Sequence, residues 1–120
     1  MAAIQKFTEI KAWQKAHELV LAVYKVTESF PKSEIFSLTS QIRRAAVSVP
    51  SNIVEGFKRS TKNDSLRFYN IAEGSLEELK YQLLLARELG YIQQPKAYSK
   101  IEAIMDEAGK LIYGWKRVQK

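Results

Sequence analysis

Apolar residues recur at steps of three and four along nearly the whole of this 120-residue chain, and no stretch shows the strict alternation, bounded by turn residues, that argues for a sheet. Such a pattern leaves helices that must bury their stripes against one another. The first helical segment spans about residues 9–29, with Thr8 as its cap and Ala12, Ala16, Leu19, Val23 and Val26 as its stripe. Phe30-Pro31 ends it, because the residue before a proline is pushed out of the helical region. The second spans about 37–59, and the third about 62–89, opening in the polar run Ser60 to Asp64 and stopping at Gly90. Its stripe is Tyr69, Ala72, Leu76, Leu79, Leu83 and Ala86. In the fourth, about 95–119, Pro95 suits the first turn, and Ala97, Ile101, Ile104, Ala108, Leu111, Trp115 and Val118 repeat without a break. Helices of roughly 30 to 42 Å joined by short loops predict one all-α domain over residues 1–120, an up-and-down antiparallel four-helix bundle.

The second helix carries an unusual stripe. Gln41, Arg44, Ser48, Asn52, Glu55 and Arg59 fall on one face, while Ile42, Ala46, Val49, Ile53 and Phe57 fall on another. Pro50 interrupts the same run, removing a backbone donor and crowding the carbonyl of Ala46 at a penalty of about 3 kcal/mol. A proline-kinked helix is expected, with Ser51 and Asn52 bonding the carbonyls freed in that turn; the alternative is two shorter helices, the second capped by Ser48. Ser48, Asn52 and Glu55 are expected to meet Gly74, Ser75 and Glu78 of the third helix in a structural polar network. Gly74, in mid-helix, predicts close approach by a neighbouring backbone.

Apolar residues outnumber those one seam can use. Trp13, Val20 and Tyr24, then Tyr81, Leu84 and Leu85, then Tyr98, Met105 and Ile112 form further rows at helical spacing. These predict a second buried surface, most simply against another copy of the chain, or else a merely wide core stripe.

The chain has no cysteine, which excludes disulfides and thiolate metal sites. The segment Met1 to Phe7 lacks the long apolar core of an export signal and no window approaches a membrane span, so a soluble cytoplasmic protein without a membrane partner is expected. Nor does the sequence hold a catalytic or metal-binding constellation. The sole histidine, His17, has no Glu-x-x-His spacing to support a di-iron site, so neither a metal nor a cofactor is expected. Glu73, Glu77 and Glu78 have Lys80 nearby, and Glu55 has Arg59, so ion pairing describes these carboxylates better than acid–base catalysis.

The net charge of +6 sits unevenly: residues 33–62 carry five Lys/Arg against two Asp/Glu and residues 92–120 six against three, whereas residues 63–91 carry three against five. The basic clusters are Arg43-Arg44, Lys58-Arg59-Lys62 and Lys116-Arg117-Lys120. Adjacent arginines on a helix point about 100° apart, so one of Arg43 and Arg44 is expected to pair internally with Glu55 or Glu78. In an oligomer each cluster repeats about the axis, giving the positive field that phosphate-backbone binding requires. Phe57, Phe68 and Tyr69 could stack on bases, but their helical spacing favours core packing.

One ordered set of motifs covers nearly the whole chain. Trp13 with Ala16, Phe30-Pro31, Glu34, Leu38, Gln41 to Ala46, Ser48 to Ile53, Glu55-Gly56, Ala72, Gly74 to Leu76, Glu78-Leu79 and Leu89 to Tyr91 together resemble the intervening-sequence proteins of 23S ribosomal RNA genes. The resemblance implies an up-and-down four-helix bundle assembled into a ring, typically a homopentamer. It also implies kinship with the accessory protein of diversity-generating retroelements, a basic pentamer that contacts a reverse transcriptase and nucleic acid. The expected function is thus a non-enzymatic, oligomeric, basic bundle that binds RNA or DNA backbone through Arg43, Arg44, Lys58, Arg59, Lys62, Lys116 and Arg117. The alternative is a ring-shaped protein scaffold for a polymerase-type or reverse-transcriptase-like partner, without direct nucleic-acid binding.

Overall fold

A computed structural model describes residues 3–119; Met1 and Ala2 of the N-terminal segment and Lys120 of the third basic cluster lie outside it. Four helices occur among the described residues: α1 Lys11–Thr27, α2 Leu38–Phe57, α3 Lys62–Glu88 and α4 Pro95–Arg117, with short 3-10 turns at Phe7–Glu9 and Lys32–Glu34. The packed pairs are α1–α2, α2–α3, α3–α4 and α4–α1, so the helices form a four-sided antiparallel bundle whose extents are 46 × 25 × 19 Å. The α2–α3 contact is the most extensive of the four, and α3–α4 the least.

In α1 the stripe Ala12, Ala16, Leu19 and Val23 is buried and ends on the polar Thr27. The Thr27 hydroxyl is satisfied where it sits, donating to the Val23 carbonyl at 2.8 Å and accepting from Arg43 Nε at 2.8 Å. Thr8 does not cap this helix: Ile10 occupies the cap position, and the 3-10 turn places the Thr8 carbonyl to accept from Gln14 Nε2 at 2.8 Å. Helix α2 runs through Pro50 without interruption, which removes the alternative of two shorter helices. Pro50 is itself buried, and Asn52 Nδ2 donates to the Ser48 carbonyl at 2.8 Å and to Ser48 Oγ at 3.0 Å, whereas Ser51 is exposed.

The close approach expected at Gly74 falls at another glycine. A Cβ on Gly74 would meet no heavy atom within 4 Å, so no backbone approaches there. The close approach is at Gly56 instead, where an added Cβ would overlap the ring of Tyr69, coming within 2.8 Å of Cδ1. Ser65 Oγ donates to the Gly56 carbonyl at 2.8 Å, fastening the end of α2 to the start of α3. The row Tyr98, Met105 and Ile112, expected on a second surface, is buried within the single chain, so α4 has a broad core stripe.

At the opposite end of the bundle, α3 closes in a Schellman motif: Gly90 has φ +85°, Tyr91 N–H donates to the Ala86 carbonyl at 2.9 Å and Gly90 N–H to that of Arg87 at 3.0 Å. Tyr91 is thereby turned toward Glu34, whose carboxylate accepts from the Tyr91 hydroxyl at 2.8 Å, from Ser37 Oγ at 2.6 Å and from the Leu38 N–H at 3.3 Å. A carboxylate at the start of α2 also suits the helix dipole. These bonds, with that of Ser37 foremost, hold the Glu34 carboxyl below its usual range.

Two tests follow from this packing. Gly74→Ala should stabilise the fold by about 1 kcal/mol through helix propensity, whereas Gly56→Ala should destabilise it by about 1–3 kcal/mol through overpacking against Tyr69, both read from urea denaturation. A depressed folded-state pKa means that Glu34 stabilises the fold above the unfolded carboxylate value, and that this contribution is lost as pH falls through the lower folded value. Glu34→Gln should therefore lower Tm at neutral pH, with the gap to the parent closing in acid; a gap that does not change with pH would contradict this.

Candidate nucleic-acid interface

The α2–α3 turn and the end of α4 meet at one end of the bundle. Gly56, Arg59, Lys62, Tyr69, Trp115 and Gln119 line a shared cavity of about 430 Å³ there. The fold thus brings the second and third basic clusters to the same pole. Trp115 lies edge-on to the buried Tyr69 ring, centroids 6.3 Å apart, which fixes the last turns of α4 against this corner.

The cations of that pole are not equivalent. Arg59 pairs with the Glu55 carboxylate one turn back, and its guanidinium lies 4.6 Å from the centre of the Phe68 ring. Arg67 covers the same ring at 4.7 Å and pairs with Asp64 at 3.0 Å. Lys116 Nζ bonds the Glu73 carboxylate at 2.8 Å, tying α4 to α3. Lys58, Lys62 and Arg117 take part in no ion pair among the described residues, and all three are exposed. Of the aromatics considered for base stacking, Tyr69 is in the core, Phe57 packs against it and Phe68 is covered by two guanidinium groups.

Arg43 and Arg44 lie elsewhere, toward the other half of α2. Arg43 does not pair with a carboxylate: its guanidinium sits 4.7 Å from the centre of the Tyr24 ring while Nε donates to Thr27. Arg44 is exposed and shares a small surface cavity with Gln41, Ser48, Ser75 and Glu78. Within the polar stripe, Ser48 and Ser75 meet across α2 and α3, their hydroxyls 2.7 Å apart, and Asn52 completes the contact. Glu55 points to Arg59, Glu78 accepts from Gln82 at 3.2 Å, and Gly74 faces solvent. The expected network thus gathers three of its six residues.

Among the described residues no group of three His, Cys, Asp or Glu side chains could hold a metal ion, and no helix is long and apolar enough to cross a membrane. His17 stacks on Trp13, ring centroids 4.9 Å apart and planes 7° from parallel.

One family matches nearly all of the bundle, from within the first 3-10 turn to the last turn but one of α4. Residues 8–114 match the 23S rRNA-intervening sequence proteins. The chain belongs to this family. No curated protein matches it. Its fold is similar to that of a Bacteroides thetaiotaomicron protein of unknown function from the S23 ribosomal protein family, with a TM-score of 0.80 and 23% identity over 89% of this chain and 96% of that one. At that identity the likeness speaks for the fold.

Sequence reasoning passed over Phe36. It lies in the connection before α2 with its side chain 95% exposed, and the only signal for it was an aromatic residue outside every helical repeat.

The separate placement of Arg43 makes its role testable. Arg43→Lys keeps the charge but removes the Nε donor and the planar face over Tyr24. It should cost about 1–2 kcal/mol of stability and leave affinity for a polyanion unchanged, as read by denaturation and by RNA titration side by side.

Proposed function

We propose that this chain is a non-enzymatic, oligomeric, basic bundle of the cytoplasm that binds RNA or DNA through the phosphate backbone with little sequence preference. The observation that carries the reading is the gathering of Lys58, Arg59 and Lys62 with Lys116 and Arg117 at one pole, three of them free of carboxylates among the described residues. Phosphate contacts need cations that are not already neutralised, and they position a nucleic acid without reading its bases. The core packing of Tyr69 and the guanidinium cover on Phe68 support the same view, since neither ring is open for a base to stack on. Membership of a family named for 23S rRNA intervening sequences is compatible with an RNA ligand.

Repetition about an oligomer axis multiplies the effect of three free cations per chain. A homopentamer, the ring size that the family resemblance implies, would present fifteen of them, an arithmetic product of five copies and the three named residues Lys58, Lys62 and Arg117.

Binding should weaken with salt, the slope of log K against log salt being about −0.7 per phosphate neutralised on a single strand and about −0.9 on duplex DNA. Reversing Lys58, Lys62 and Arg117 to Glu should abolish binding to single-stranded and structured RNA at about 50 mM salt while the helical content stays that of the parent. Unchanged affinity in the triple variant would overturn the polyanion reading and leave the adaptor for a polymerase-type protein in its place.

A further inference from the structure

The cavity at the basic pole offers more than its cations. It holds about 430 Å³, within the roughly 300–1,000 Å³ of small-molecule sites, and among the described residues no carboxylate lines it. Lys62 lines it and has no ion-pair partner among the described residues. With Thr61 it brings the start of α3 to the cavity wall. There the Thr61 side chain accepts from the Asp64 N–H at 3.2 Å, which leaves the Lys62 and Asn63 N–H groups without acceptors among the described residues, at the positive end of the helix dipole. Asp64, the acidic residue of that turn, is already paired with Arg67 at 3.0 Å.

Two inner donors point independently to a ligand. Tyr69 is 1% exposed and borders the cavity, yet its hydroxyl hydrogen has no acceptor among the described residues. The polar group beside it is the Trp115 Nε1–H, which can only donate. That N–H is buried as well and completes no hydrogen bond among the described residues. Burial pushes the Tyr69 pKa above that of an ordinary phenol, so the hydroxyl keeps its hydrogen near neutral pH. Adjacent buried donors with no acceptor between them call for one from outside, because leaving such a bond unmade is costly.

A helix N-terminus, a free ammonium and unmatched donors together select an anion rich in oxygens. A phosphodiester inside a strand is flanked by two sugars, which hold it at the surface. A terminal phosphomonoester has one flanking sugar, three strong acceptor oxygens and close to two negative charges at neutral pH, its second pKa being about 6. We infer that the cavity takes the terminal phosphomonoester of a nucleic-acid strand, with Lys62 and the first amides of α3 facing its charge and the Tyr69 hydroxyl donating to one of its oxygens. Trp115, whose N–H faces the Tyr69 oxygen, leaves the hydroxyl hydrogen free for that bond. The assignment rests on the backbone-binding pole of the proposed function and adds to it a preference for strand ends.

The test compares dissociation constants, at about 50 mM salt, for one short sequence, as RNA and as single-stranded DNA, with a 5′-phosphate, a 3′-phosphate or hydroxyls at both ends, and for adenosine monophosphate. A phosphorylated strand should bind roughly tenfold more tightly than the hydroxyl-ended strand and than the free nucleotide. Tyr69→Phe keeps the ring on Gly56 and removes only the oxygen. It should keep the parent's helical content and its affinity for the hydroxyl-ended strand while losing most of the preference. Lys62→Gln, at an exposed position the fold does not depend on, should lower the preference as well. Equal binding whatever the strand end, or a preference untouched by both variants, overturns the cavity assignment and leaves the backbone-binding pole standing. A free nucleotide that binds as tightly as the phosphorylated strand is then itself the ligand, and the strand end is overturned. No binding of any strand or of the nucleotide overturns the cavity and the pole together.

Discussion

Where α2 hands over to α3, the absence of a side chain at Gly56 lets the Tyr69 ring lie directly on the α2 backbone, and Ser65 bonds the carbonyl exposed beside it. Eight residues back along α2, about 12 Å, Ser48 meets Ser75 in the second polar contact between the same helices. Two fixed points at that separation set both the register and the rotation of α2 on α3, the largest interface of the bundle. The short turn between them has little freedom left, so Lys58, Arg59 and Lys62 are held at one corner rather than spread along a loop. Trp115, packed edge-on against Tyr69, brings the end of α4 to the same corner. The basic pole therefore depends on a packing contact made of uncharged groups.

The other end of the bundle is organised by a carboxylate. Glu34 draws together the start of α2, the turn before it and Tyr91 from beyond α3, and Phe30 packs on the Tyr91 ring at 5.6 Å. This cluster anchors the connection from which Ile35 and Phe36 project. The two ends of α2 thus differ in chemistry, one basic and polar, the other apolar with two arginines beside it.

Fold class and family were legible because each rests on local patterning: stripes at helical spacing, a proline that opens α4, a glycine that closes α3 and a long ordered motif through α2. Pairwise contacts were less so. Gly74 and Gly56 look alike as letters, yet only Gly56 lies under a ring, and that depends on how α3 is rotated. One of Arg43 and Arg44 was expected to pair with Glu55 or Glu78; Arg43 instead stacks on Tyr24 and bonds Thr27, groups sixteen or more residues away in the chain. The row Tyr98, Met105 and Ile112 turned inward because a four-sided bundle covers a wider arc of α4 than a single seam would.

By itself the sequence determined that this chain is a helical bundle of the 23S rRNA-intervening sequence family with basic clusters, since periodicity, end signals and residue types are properties of neighbouring letters. Only the tertiary structure decided which cations share a pole, which are already paired, which glycine a ring rests on, and that Phe36 is left uncovered. Those outcomes depend on the rotation and register of one helix against another. Such quantities are fixed by close packing between distant segments, which local spacing does not contain.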